Sequence, residues 1–199
     1  MSHEHPSGVP GAYDRSADHP DWARVVMRED RIAQAAEINE IQSLGERRVR
    51  RIGNLIAKDG DRQEGADIIV DTEAGTVSLT AGRIYVAGDV RPVEAAVLTD
   101  VPMTGEVRVG VRLIGTVITE EDDPSLVGLH PGTEGEGEPG AARVAEHLVW
   151  ALADDEQPGE FISVYVLRDG TVIDQMPPPA LTGVIQQIAR YDYDAPGHY

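Results

Sequence analysis

Apolar residues recur along this chain in two different rhythms, and the change of rhythm falls near residue 60. From about Arg28 to Lys58 they return at three- and four-residue intervals, at Ile38, Ile41, Val49, Ile52 and Ile56, with Leu44 and Leu55 beside that stripe. Such spacing draws one face of a helix. Good helix formers fill the positions around it, among them Ala33, Ala35, Ala36, Glu37, Glu40, Gln42 and Glu46. The stripe is thin, because Gly45 and Arg48 interrupt its heptad seam. It therefore suits a helix packed on other chains better than an independent coiled coil. An Asp59-Gly60 turn ends it.

Beyond that turn the period falls to two. Ile68-Ile69-Val70 leads to a turn at Glu73-Ala74-Gly75, after which Val77, Leu79 and Ala81 alternate with polar neighbours. Ile84-Tyr85-Val86 follows, then a turn at Gly88-Asp89. The clearest strand is Glu106 to Leu113, with Val107, Val109, Val111 and Leu113 on one face and Arg108 and Arg112 on the other. Arg143 to Leu152 reads equally well as strand or helix. Phe161 to Leu167 is a buried strand, and Asp169-Gly170 makes a two-residue hairpin turn into Thr171-Val172-Ile173. Pro177 to Pro179 stop the sheet, and Leu181, Val184, Ile185, Ile188 and Ala189 trace one face of a short helix.

The predicted fold is α+β and mainly β. An extended N-terminal arm covers residues 1–27, and a long helix for oligomerisation or docking covers 28–60. A β-rich domain, an antiparallel sandwich or barrel-like arrangement, covers 61–180 and carries an acidic loop at 120–141. A C-terminal helix over 181–199 leads toward further domains. The arm is rich in Pro, Gly, His and Asp, with isolated aromatics at Tyr13 and Trp22. Such a segment cannot bury enough apolar surface alone to offset the entropy of ordering. It is either a loose terminus or an arm that orders against a neighbouring subunit, with the two aromatics as pegs.

Composition agrees with a turn-rich β protein: 21 Gly and 13 Pro in 199 residues, with aromatics at 5%. The charge is one-sided, 35 acidic residues against 17 basic, a formal net charge of −18. Such a surface repels phosphate backbones and anionic lipid, so neither nucleic acid nor a membrane is an expected partner. No apolar run reaches the roughly 18–20 residues of a spanning helix, and the N-terminus lacks the pattern of a secretory signal. Cysteine is absent, which excludes disulfides and thiolate metal sites.

The chemical motifs are weak. Gly135-Glu136-Gly137-Glu138-Pro139-Gly140 matches G-x-G-x-x-G in letters, but no strand leads into it and its glutamates would repel a pyrophosphate. Asp59-Gly60-Asp61 faintly suggests a calcium loop, yet Glu64 and Val70 stand where that loop needs Gly and Glu. Glu120-Glu121-Asp122-Asp123 reads as a solvated acidic loop, and His147 as a core or interface side chain. Arg47-Arg48-Val49-Arg50-Arg51 is the one basic cluster, and it suits a helix face that pairs with acidic neighbours. No catalytic, cofactor-binding or metal-ligating residue is expected. The expected partner-binding residues are Tyr13, Trp22, Ile38, Ile41, Ile52, Arg47 and Arg51.

Several segments, in order along the chain, carry a resemblance. Ile32-Ala33-Gln34-Ala35-Ala36-Glu37-Ile38-Asn39-Glu40-Ile41-Gln42-Ser43 is similar to the opening helix of a family of phage tail proteins described only as a domain of unknown function. Val77 to Val93 resembles its next stretch, Glu121-Asp122-Asp123-Pro124-Ser125-Leu126 its acidic loop, and Pro139-Gly140-Ala141-Ala142-Arg143 the segment after that. Ile188-Ala189-Arg190-Tyr191-Asp192-Tyr193-Asp194 resembles the stretch that precedes further domains in longer relatives. The resemblance implies a non-enzymatic structural protein of the virion, a baseplate component or a tail-fibre adaptor. It also implies assembly with other tail proteins and with copies of itself, as a homotrimer. Two other readings stand beside it. A carbohydrate-binding β module would need exposed aromatics, for which Tyr85 and Tyr165 are the candidates on the sheet. A tail-associated hydrolase would need carboxylates in a cleft.

Overall fold

The computed structural model describes residues 4–175, so the helix expected over 181–199 and the prolines at 177–179 lie outside the described residues. Among the described residues there is one α-helix, α1, Ala35–Gly53, and ten strands. The helix is shorter than the 28–60 stretch expected from its composition. At its start the Gln34 N–H donates to the Glu37 carboxylate at 2.9 Å, while the Glu37 N–H donates to the Gln34 carbonyl at 3.0 Å. The Glu37 carboxylate thus satisfies one of the free N–H groups at the helix start. Residues before it form only an isolated turn, with the Arg31 N–H donating to the Arg28 carbonyl. At the other end a methyl group on Gly53 would run into the Tyr85 side chain. The Tyr85 hydroxyl donates to Asn54 Oδ1 at 2.9 Å. The chain then leaves helical geometry through turns at residues 54–61.

The strands are β1 Arg62–Gly65, β2 Ile68–Asp71, β3 Thr76–Leu79, β4 Gly82–Val86, β5 Asp89–Val93, β6 Ala96–Leu98, β7 Glu106–Ile118, β8 Arg143–Leu152, β9 Glu160–Arg168 and β10 Thr171–Gln175. They form a seven-stranded sheet in the order β1-β4-β5-β8-β7-β9-β10 and a three-stranded sheet in the order β2-β3-β6. The hairpin and meander contacts are antiparallel. One contact departs from the expected antiparallel arrangement: β5 meets β8 in parallel, at Val93 and Leu148. Pro92 has no N–H to offer a second neighbour, consistent with a ladder confined to that one position. The turns carry the chemistry their backbones need. Ala87 and Gly88 between β4 and β5, and Asp169 and Gly170 between β9 and β10, all have positive φ, the signature of a type I′ hairpin. Arg143 to Leu152 resolves as strand.

The described residues divide into two compact units, each assembled from segments far apart in sequence: residues 4–49 with 115–146, and residues 50–114 with 147–175. The apolar core belongs to the second. Val77 and Leu79 of the smaller sheet share it with Ile84, Val86, Val109, Val111, Trp150, Val164 and Leu167 of the larger. Of the alternation read at Val77, Leu79 and Ala81, the first two positions are buried as expected, while Ala81, past the end of the strand, is exposed. Tyr165 is buried in the same core, and its hydroxyl donates to the Ala66 carbonyl at 2.6 Å. Burial holds its phenol above the usual tyrosine range. Ala66 itself has a positive φ with no exposed surface, so this bond anchors a strained corner. Tyr165→Phe is expected to lower stability by about 1–2 kcal/mol in urea unfolding, since it leaves that carbonyl without its donor.

A second fastening closes the turn between β8 and β9. Arg112 donates from Nε to Asp155 Oδ1 at 2.6 Å, and from its terminal nitrogens to the carbonyls of Asp155 at 2.7 Å and Gly159 at 2.9 Å. The guanidinium also lies over the Phe161 ring, 5.5 Å from its centroid. The polar face of β7 read from alternation is thus not a solvated one at this position: Arg112 is buried.

Candidate partner-docking site

In the first unit, polar groups hold the N-terminal segment to α1. Asp14, Ser16 and Glu40 are all buried there, and each is satisfied, as buried polar groups must be. Asp14 accepts from the Ser16 N–H at 2.7 Å and from the Ser43 hydroxyl at 2.5 Å. Burial alone would raise its pKa, but the hydrogen bonds from Ser16 and Ser43 outweigh that and hold the carboxyl below its ordinary value. Arg15 pairs with Glu40 at 2.5 Å, which raises the guanidinium pKa further. Arg47 donates to the carbonyls of Ser16 at 2.6 Å and His19 at 3.3 Å. Asn39 donates to the Tyr13 carbonyl at 3.0 Å, and Arg48 to that of Ala23. The N-terminal segment is therefore clasped along one face of α1 by a row of side chains from the helix.

That arrangement reverses the usual polarity of a surface helix. The inward face of α1 carries Glu40, Ser43, Arg47 and a single apolar residue, Leu44. The apolar stripe looks outward, with Ile38 53% exposed, Ile41 49%, Val49 60% and Ile52 64%. Surface apolar residues scattered singly need no explanation, but here four, three isoleucines and Val49, align in one stripe.

The two glycines of α1 differ in kind. Gly53 is held small by Tyr85, whereas nothing lies within 4 Å of where a Cβ on Gly45 would stand. Gly45→Ala is accordingly expected to raise stability in thermal unfolding by about 0.5–1 kcal/mol, the intrinsic helix preference. Gly53→Ala should lower it, by forcing Tyr85 aside.

The residues expected to bind partners fall into three groups. Ile38, Ile41 and Ile52 lie together on the exposed stripe, and Arg51 is exposed on the same helix. Tyr13 is about half exposed, and Trp22 is partly exposed but stacks on His19, ring centroids 4.1 Å apart. The turn that brings them together is closed by the Trp22 N–H donating to the His19 carbonyl, with Pro20 fixing its first corner. Arg47 faces inward onto the clasped segment. Asp14, Ser16 and Glu40 escaped the sequence reading, since charged residues in a hydrophilic stretch read as solvated. The one available signal was the Asp14-x-Ser16 spacing, which favours an aspartate accepting from the backbone two residues on.

The other motifs resolve into turns. Asp59 accepts from the Ala87 N–H at 2.7 Å and Asp61 from the Lys58 N–H at 2.8 Å. Asp122 accepts from Thr119, and Asp123 caps a short 3-10 turn at Pro124–Leu126. The Ser125 hydrogen bonds hold the Asp123 carboxyl below its ordinary pKa. The glycine-rich loop is pinched at its base by a bridge between Val127 and Pro139, with the Gly140 N–H donating to the Leu126 carbonyl at 2.9 Å. A side chain on Gly128 or Gly140 would meet backbone there. Tyr85 and Tyr165 are both buried, so the sheet offers neither as a platform for a sugar ring. His147 is exposed. Among the described residues no three His, Asp or Glu side chains gather as metal ligands, and no helix is long and apolar enough to cross a membrane.

These features define a mainly β protein that presents an apolar helical ridge on its surface. The chain belongs to the family described as Domain of unknown function (DUF4815), whose model matches residues 11–199. No curated protein matches it. Solved structures similar to it include the crystal structure of TssK, with a TM-score of 0.38 and 14% identity over 75% of this chain and 40% of that one. The baseplate complex from the type VI secretion system gives a TM-score of 0.38 and 10% identity over 84% and 46%. The TssK-TssF-TssG baseplate subcomplex of that system gives 0.39 and 9% over 85% and 69%. The chain spans less than half of the first two. Superpositions this loose carry no function across.

Proposed function

We propose that this chain is a non-enzymatic structural subunit at the tail tip of a tailed phage or phage-like particle, as a baseplate or tail-fibre attachment protein. The observation that carries the assembly role is the outward apolar stripe of α1, Ile38, Ile41, Val49 and Ile52, in a chain of net charge −18. A strongly acidic surface keeps copies apart in solution, so an apolar face on it is a cost unless something covers it. The tail assignment rests on the ordered sequence resemblance to phage tail proteins, which for copy number implies a three-fold assembly. The test is immunogold labelling of particles from the source, viewed by negative-stain electron microscopy. Gold at the tail tip or fibre base supports the reading. Gold on the head, or protein found only free in solution, overturns it.

A further inference from the structure

We propose that α1 is a homotypic contact, pairing with α1 of a second copy of this chain in an antiparallel crossing centred on Gly45. This rests on the reading of the chain as an assembly subunit, and it names what covers the ridge.

The ridge is symmetric about its glycine. Ile38 and Ile52 stand at equal distances either side of Gly45, and so do Ile41 and Val49. All four are about half exposed or more. A two-fold axis through Gly45 therefore sets Ile38 against Ile52 of the second copy and Ile41 against Val49, each contact occurring twice. Glycine at the crossing point is what such a pair needs, because the distance between two helix axes is set by the side chains at their contact. Among the described residues no contact requires a glycine here. It weakens the helix, and open space surrounds the position its Cβ would occupy.

Charge selects the orientation and the occupant. Glu37 flanks one half of the ridge, and Arg51 flanks the other half on the same side. An antiparallel copy brings Arg51 of each chain toward Glu37 of the other. More broadly, the end of α1 exposes Arg48, Arg50 and Arg51 in a protein that is otherwise acidic. It is where a second acidic copy can approach most easily. An in-register parallel bundle does less well. It stacks Gly45 on Gly45 and Arg48 on Arg48 at successive layers of its seam, leaving a gap and then a ring of like charges. Any three-fold assembly of the chain would then be made through a surface other than this helix.

The chain has no cysteine, so single thiols can be placed at will on the full-length protein. The variants are Gly45→Cys, Ile38→Cys and Ile52→Cys, each at a solvent-facing position whose change leaves the core untouched. Under mild oxidation Gly45→Cys should cross-link to itself. Mixed Ile38→Cys and Ile52→Cys should cross-link about tenfold faster than either alone, because a disulfide needs its two Cα atoms within about 7 Å. Self-cross-linking of Ile38→Cys and of Ile52→Cys would mean a parallel bundle and overturn the proposal. Absence of any cross-link, with the wild type monomeric in light scattering at high concentration, would equally overturn it. Either failure leaves the tail assignment standing, since that is read from gold on particles. Cross-linking as expected with no gold on the tail would sink the tail assignment alone.

Discussion

Arg112→Ala should destabilise the β unit by about 3 kcal/mol or more, read as an earlier urea midpoint with little change in slope. The side chain ties the carboxylate of Asp155 and two backbone carbonyls of the turn between β8 and β9 to the middle of β7. Truncation removes the charge partner of that carboxylate, which keeps only the Leu152 and Gln157 N–H donors, and it strips both carbonyls of their donor at once. The carboxylate is about a quarter exposed, at 26%, so the lower end of the range for breaking a buried pair applies. Arg112→Lys tests the geometry. An ammonium keeps the charge but cannot reach several acceptors in one plane or cover the Phe161 ring, so it should recover at most about half of the loss.

Asp14→Ala should loosen the N-terminal segment around Ser16 on α1 while leaving the β unit folded. It removes the acceptor of both the Ser16 N–H and the Ser43 hydroxyl, a loss of about 2–3 kcal/mol confined to the first unit. Hydrogen exchange at the Ser16 amide reads it directly, and protection unchanged from the wild type would refute the assigned role. The same carboxylate sets a pH dependence. Its folded-state pKa is depressed, so its contribution is present above the unfolded value of about 3.9 and is lost as pH falls through the folded one. Protection at Ser16 should hold from neutrality down to about pH 4 and fail below it. In Asp14→Ala this acid-dependent step should vanish.

The sequence was most legible where one residue type has one physical use. Asp169-Gly170 had to be a tight hairpin turn because both positions need positive φ, and the alternation at Val77 and Leu79 needed a one-sided strand. Helix limits were less legible, since the residues from Arg28 to Gln34 are as helix-compatible as those that follow. A reciprocal bond between Gln34 and Glu37 chose the start. The stripe of isoleucines was visible, but which way it pointed was not. Periodicity gives a face, and only the clasp of Asp14, Glu40, Ser43 and Arg47 shows that the polar face is the one turned inward. The pairing of residues 4–49 with 115–146 was hidden for a different reason. Nothing in a local pattern says which distant segments will meet.

The bridge between Val127 and Pro139 separates the length of the glycine-rich loop from the strands that carry it. The free energy of closing the loop is borne at its neck, so residues added between Leu129 and Glu136 enlarge a ring that is already shut. They add little to the entropy of closure, which grows only slowly with length. The tip can therefore be lengthened, shortened or recomposed without altering the register of β7 or β8. For the same reason it is the place where an epitope or a fluorescent tag can be inserted with the folded body left as it is.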